Sequence, residues 1–229
     1  MQGFGTLDIV AVLWFLAAWA GYGTLVEFTS FGEGSLNHRM DRHRAEWTRR
    51  MLARDMRMLD GQIMASLQNG TAFFASTSLL AIGGTFALLR ATDDMLQVFA
   101  TLPLGIETTR AAWEMKVIGL LVIFIYAFFK FSWSYRLFNY GAILMGAMPE
   151  AVDAKKRGAE AAADKLARMT TLAGRHFNRG QRAFFFALGY LGWFVSAWLF
   201  MAATAAVLVV IAIRQFGPAA REVVGAGPR

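Results

Sequence analysis

Two ionisable side chains set in apolar runs, Glu27 and Lys130, are the first candidates for chemistry in this chain. A charge at membrane depth is costly and usually has a partner or serves a pathway. At about 1.5 Å per helical residue, Glu27 lies about 28 Å from Asp8 and Lys130 about 25 Å from Trp113. Both therefore fall near one interface, and an ion pair bracing the first and third apolar runs follows, with a proton or ion relay as the alternative. A second constellation lies in QNGTAFFASTSLLAIGGTF, where Gln68, Thr71, Ala75, Ser78, Ile82 and Thr85 alternate at spacings of three and four. On a helix they form one small, hydroxyl-bearing face. Such a face suits close contact with another helix, or a hydrated path lined by Thr71, Ser78 and Thr85. A third group, Arg136, Arg175, Arg179 and Arg182, borders aromatic segments and fits lipid phosphate. Within it, Asn178-Arg179-Gly180 reads as a helix start with free backbone donors.

Enzyme signatures are missing. No cysteine is present, which excludes disulfides, thiolate metal sites and cysteine nucleophiles. The chain carries no Walker loop, dinucleotide fingerprint, GxSxG or HExxH. His38 and His43 are five apart and miss the shared face of a four-residue spacing. No catalytic, cofactor-binding or metal-binding residue is assigned. A net charge of +7 would allow nucleic acid, but the aromatics sit in apolar runs and not on an exposed platform. Nucleic acid is not expected as a partner.

The elements that must position these groups are membrane helices. Of 229 residues, 56% are hydrophobic, which suits a bilayer better than water. Spans are expected at 7–28, 66–89, 113–138 and 183–213, since about 20 helical residues cross a hydrocarbon core. Backbone groups in lipid must be satisfied internally, so each span is helical. The expected class is all-α, a single membrane domain over 1–229 built as a four-helix bundle. MQGFGTLD lacks the basic start of a cleaved leader, so the first span is expected to be retained.

Charge distribution sets the orientation. Residues 29–65 hold seven Arg and 139–182 hold eight Lys and Arg, whereas 91–112 hold only Arg110 beside Asp93, Asp94 and Glu107. Basic segments stay on the cytoplasmic side, so 29–65 and 139–182 are cytoplasmic. The N-terminus and the 214–229 tail are then extracytoplasmic, against which three Arg in the tail speak mildly. Both cytoplasmic segments are expected to be helical. The first, from Asn37, places Ala45, Leu52, Met56, Leu59 and Ile63 at helical spacing and runs on into the second span. Its apolar face packs on its counterpart or lies on headgroups. The second starts at Pro149 and breaks near Gly174. Gly70-Thr-Ala-Phe-Phe-Ala and Gly180-Gln-Arg-Ala-Phe-Phe-Phe-Ala open the second and fourth spans as an internal echo.

FFASTSLLAIGG at 73–84, FKFSWSYRLFNY at 129–140 and HFNRGQRAFFFALGYLGWF at 176–194 carry a resemblance. The chain resembles, from about residue 8 to residue 213, the bacterial and plant membrane family catalogued as domain of unknown function 599. The resemblance implies a multi-span membrane protein and supplies no catalytic residues. Some members have a proline after the last aromatic run, where this chain reads Val195-Ser196-Ala197-Trp198, so no proline kink is expected there. The expected function is that of a non-enzymatic inner-membrane component that meets anionic headgroups and assembles with itself or a larger complex. An oligomeric channel or carrier for ions or small solutes is the alternative.

Overall fold

The computed structural model describes residues 4–101 and 108–218. Glu107 and tail residues 219–229 lie outside them. Seven α-helices follow in order: α1 Thr6–Phe28, α2 Leu36–Leu52, α3 Met58–Arg90, α4 Thr92–Thr101, α5 Arg110–Gly146, α6 Ala159–Tyr190 and α7 Ala197–Phe216. There is no strand among the described residues. Helices α1, α3, α5 and α7 are long and apolar enough to cross a membrane.

A seven-residue repeat of buried positions organises the bundle. On α3 it runs Met64, Thr71, Ser78, Thr85, and on α5 Trp113, Leu120, Ala127, Ser134, Gly141. On α6 it runs Ala159, Leu166, Ala173, Gly180, Ala187. Helices that keep this period present one continuous seam to a neighbour and coil around it left-handedly. Antiparallel α5 accordingly lies between α3 and α6, with α1 and α7 on the far side of α6. The seam holds mostly small residues, so backbones approach closely. At Gly180 an added Cβ would stand 2.7 Å from the ring of the fully buried Phe131.

Two cores share this seam. One, at the level of the apolar spans, joins Phe15, Tyr22, Phe131, Phe186, Tyr190 and Phe200. The other, beyond the spans, joins Met51 and Leu52 of α2 to Met64, Leu137 and Leu166. Helix α2 thus packs along α6. Ser35 caps it by accepting from the His38 N–H at 3.2 Å.

Several expectations need correction. The helix from Asn37 does not run into the second span, because the chain turns at 53–57 and leaves Met56 and Leu59 exposed. Fully buried Asp60 holds that corner, accepting from Trp47 Nε1 at 2.7 Å and from Arg54. Arg57 meanwhile donates to the carbonyls of Met148 and Pro149. Pro149 does not start a helix, since α6 begins after Gly158, whose φ of 98° is left-handed. Nor does Gly174 break α6; the helix passes through it and the Arg44 guanidinium packs over it. Between the second and third spans, residues 92–101 form α4.

The largest correction concerns the fourth span. Residues 183–213 are not one helix: α6 ends at Tyr190, a 3-10 turn covers Leu191–Phe194, and Ser196 caps α7 by accepting from the Leu199 N–H at 3.1 Å. The chain reverses without a proline. Gly192 permits the reversal, because a Cβ there would stand 2.9 Å from the Leu199 carbonyl oxygen. Helix α7 returns beside α1, so Phe216 meets Phe31 at a 4.6 Å ring separation while Asp8 meets Trp193 at the other end. The described start and end of the chain lie at opposite ends of the bundle. The echo between Gly70 and Gly180 is not one of role, for nothing lies within 4 Å of a Cβ at Gly70.

Gly180→Ala is expected to lower stability by about 1–3 kcal/mol through overpacking against Phe131, read as a lower unfolding midpoint in detergent. Gly70→Ala should leave that midpoint unchanged or raise it, since it adds helix propensity in open space.

Candidate functional site

Glu27 stands in the last turn of α1, and Arg179 and Arg182 stand one turn apart on α6, so both guanidinium groups face the same carboxylate. Arg179 donates through Nε to Glu27 Oε2 at 2.8 Å and through Nη2 to the same oxygen, while Arg182 donates to Oε1. Both oxygens are engaged. The side chains keep only 15%, 29% and 11% of their surface for Glu27, Arg179 and Arg182. The expected Glu27–Lys130 pair is therefore not formed. Lys130 lies one turn beyond Tyr126 on α5 and rests its ammonium 5.0 Å from the Tyr126 ring centre. The longer reach of two arginines from the adjacent helix takes the carboxylate first.

Three cavities meet at this clasp. A groove of about 500 Å³ runs along α1 between Leu16, Trp19 and Phe28, with Tyr126 opposite, and ends on Glu27, Arg179 and Arg182. Its walls are apolar and its end is basic. On the α2 side lie a small pocket of about 60 Å³, with Asp41, Arg175 and Asn178, and a cavity of about 150 Å³, with Tyr22, Arg214 and Gln215. Arg182 lines all three. It is a wall with the groove on one side and a polar vestibule on the other.

The other expected residues are dispersed. Arg175 reaches Asp41 of α2 at 3.5 Å, which holds it away from Glu27. Arg136 is exposed on α5 and donates to the Tyr140 hydroxyl at 2.7 Å. Because α6 is continuous through Asn178-Arg179-Gly180, that tripeptide is no helix start and offers no free backbone donors. Thr71, Ser78 and Thr85 are buried on the α3 face that packs on α5, and their hydroxyls donate to the carbonyls of Leu67, Phe74 and Ile82 of their own helix. Gln68 crosses to α5 and donates to Asn139 at 2.7 Å. That face meets protein.

A second cluster was not foreseen. Buried Lys116 donates to the Trp193 carbonyl at 2.8 Å and stands 5.5 Å from the Trp193 ring centre. Trp193 Nε1 donates to Asp8 at 2.7 Å, and the Tyr190 hydroxyl donates to the Lys116 carbonyl at 3.0 Å. These bonds fasten the reversal between α6 and α7 to α1 and α5. The signal was a lone cation in WEMKVIGLL, read as part of an apolar run.

Described residues that hold helices and no strand, four of those helices being long and apolar enough to cross a bilayer, mark the helical class of membrane protein. The chain belongs to the family described as "Protein of unknown function, DUF599", whose model matches residues 10–219. No curated protein and no solved structure matches it.

Glu27→Gln is expected to destabilise the fold by about 3 kcal/mol, because the buried Arg182 loses its counter-charge. Lys130→Gln, outside the clasp, should cost well under half of that; equal losses in thermal unfolding would restore the Glu27–Lys130 pair.

Proposed function

We propose that this protein is a non-enzymatic component of the bacterial inner membrane that holds an anionic phospholipid in the groove along α1. The carrying observation is that an apolar trough of about 500 Å³ ends on Arg179 and Arg182. Acyl chains suit Leu16, Trp19 and Phe28, and a phosphate suits guanidinium forks. Glu27 alone cannot neutralise Arg179, Arg182 and the nearby Lys130, so the end of the groove favours an anion. The channel reading loses its main support because the hydroxyls of Thr71, Ser78 and Thr85 are spent on their own helix. Assembly with a second copy or a larger complex belongs to the same proposal. The outer face of α3, open at Gly70, Gly83 and Gly84, lets another helix approach closely.

In this reading α6 is also a membrane crossing. Its stretch 175–190 covers about 24 Å at 1.5 Å per residue, and the Leu191–Phe194 turn carries it on alongside α1 to the level of Asp8. Being wrapped by α1, α5 and α7, it needs no lipid-facing surface of its own. The positive-inside bias then puts α2, the α6 start and the end of α7 in the cytoplasm, and α4 outside.

Arg179→Gln should lower co-purifying anionic lipid by about tenfold, measured by native mass spectrometry, as loss of a charge-assisted pair predicts. Arg49→Gln on exposed α2 is the control, and equal retention in both variants would sink the lipid reading. Because the chain lacks cysteine, sidedness can be read with single reporters. Arg42→Cys and Pro218→Cys should label with an impermeant maleimide only from the cytoplasm, and Asp94→Cys only from outside. Outside labelling of Pro218→Cys would return α6 and α7 to a single crossing.

A further inference from the structure

The vestibule on the other side of Arg182 is a built cavity that lipid binding in the groove does not use. It holds about 150 Å³ between Tyr22 of α1, Asn37 of α2, Gln181 and Arg182 of α6, and Arg214 and Gln215 of α7. Its only charged lining groups are the two arginines; no carboxylate lines it among the described residues. Tyr22 and Arg182 are each only 9% exposed. The Tyr22 hydroxyl and the Gln215 amide nitrogen are buried yet bond no protein group. Leaving a buried polar group unpaired costs about 1–3 kcal/mol, so two such groups on residues that line one cavity call for a polar occupant. The charge of the walls excludes a cation. Arg214, its guanidinium 5.4 Å from the Phe185 ring centre, also offsets the carbonyl end of α7.

We propose that this cavity binds a small tetrahedral oxyanion of the phosphate type. Two guanidinium groups, a phenol and amides supply donors from several directions, as an ion with several acceptor oxygens requires. Tyr22 and Arg214 line the cavity and not the groove, so this site stands or falls apart from the lipid proposal.

The test is thermal unfolding of the full chain in detergent at matched ionic strength, in inorganic phosphate, in chloride and with a short-chain phosphatidic acid. Phosphate should raise the midpoint above chloride in the wild type. Tyr22→Phe, which removes only an unpartnered hydroxyl, should fold as well as wild type yet weaken apparent phosphate affinity about five-fold or more. Arg214→Gln should do the same. Stabilisation by phosphatidic acid alone, lost in Tyr22→Phe, would assign the oxyanion to a lipid headgroup and sustain the site. A midpoint identical in all three media, or a phosphate effect untouched by both variants, overturns it. Lipid retention read on Arg179→Gln is independent of either result.

Discussion

Close approach of α6 to α5 is the constraint from which the rest of the structure follows. Ala173, Gly180 and Ala187 carry so little side chain that Phe131 can lie against the backbone of α6. Bulk is supplied by the partner, and the aromatic core of Phe15, Phe186, Tyr190 and Phe200 fills the opposite side. Small residues on one helix against large ones on the next let sides interlock without voids, and dispersion grows with the number of such contacts. In lipid this matters more than in water, because helix association gains little from hiding apolar surface. With α6 seated, Arg179 and Arg182 have a single direction left, toward the end of α1.

Much of the architecture was legible in residue order. The first three apolar runs became α1, α3 and α5, and the spacing of Thr71, Ser78 and Thr85 marked the face that packs on α5. Basic segments marked the end of the bundle where α2 and the start of α6 gather. What stayed hidden has one physical origin: hydropathy reports contact with lipid, whereas α6 contacts protein. Its second half includes Arg175, Arg179 and Arg182 and many small residues, so only the part after Ala183 is apolar enough to read as a span. Joined to α7, that part passed for a single long span. The reversal at Leu191–Ser196 carries no proline, and its cause, Gly192 against the Leu199 carbonyl, is tertiary.

The partner of Glu27 was hidden for the same reason. A cation from another helix is required by the burial of Glu27, and α6 supplies two. Choosing Lys130 assumed that partners come from apolar spans, whereas the arginines lie on a helix that did not count as one. The fastening of Lys116, Tyr190 and Trp193 escaped because it forms only once α6 ends beside the start of α5. Both of these misses follow from one misplaced helix.

That helix also gives the charge cluster its character. A carboxylate gripped by one arginine would be a brace; gripped by two, with Lys130 close by, it leaves positive charge in excess at a point where the groove and two smaller cavities meet. Arg182 bears most on this, because it is nearly buried and faces three cavities while one of its nitrogens is committed to Glu27. An anion arriving on either side competes with Glu27 for the same guanidinium, and interaction is strong there because water is scarce. Arg179 and Tyr22 each line one of the two, groove or vestibule, and not the other, which keeps the two proposed sites separable.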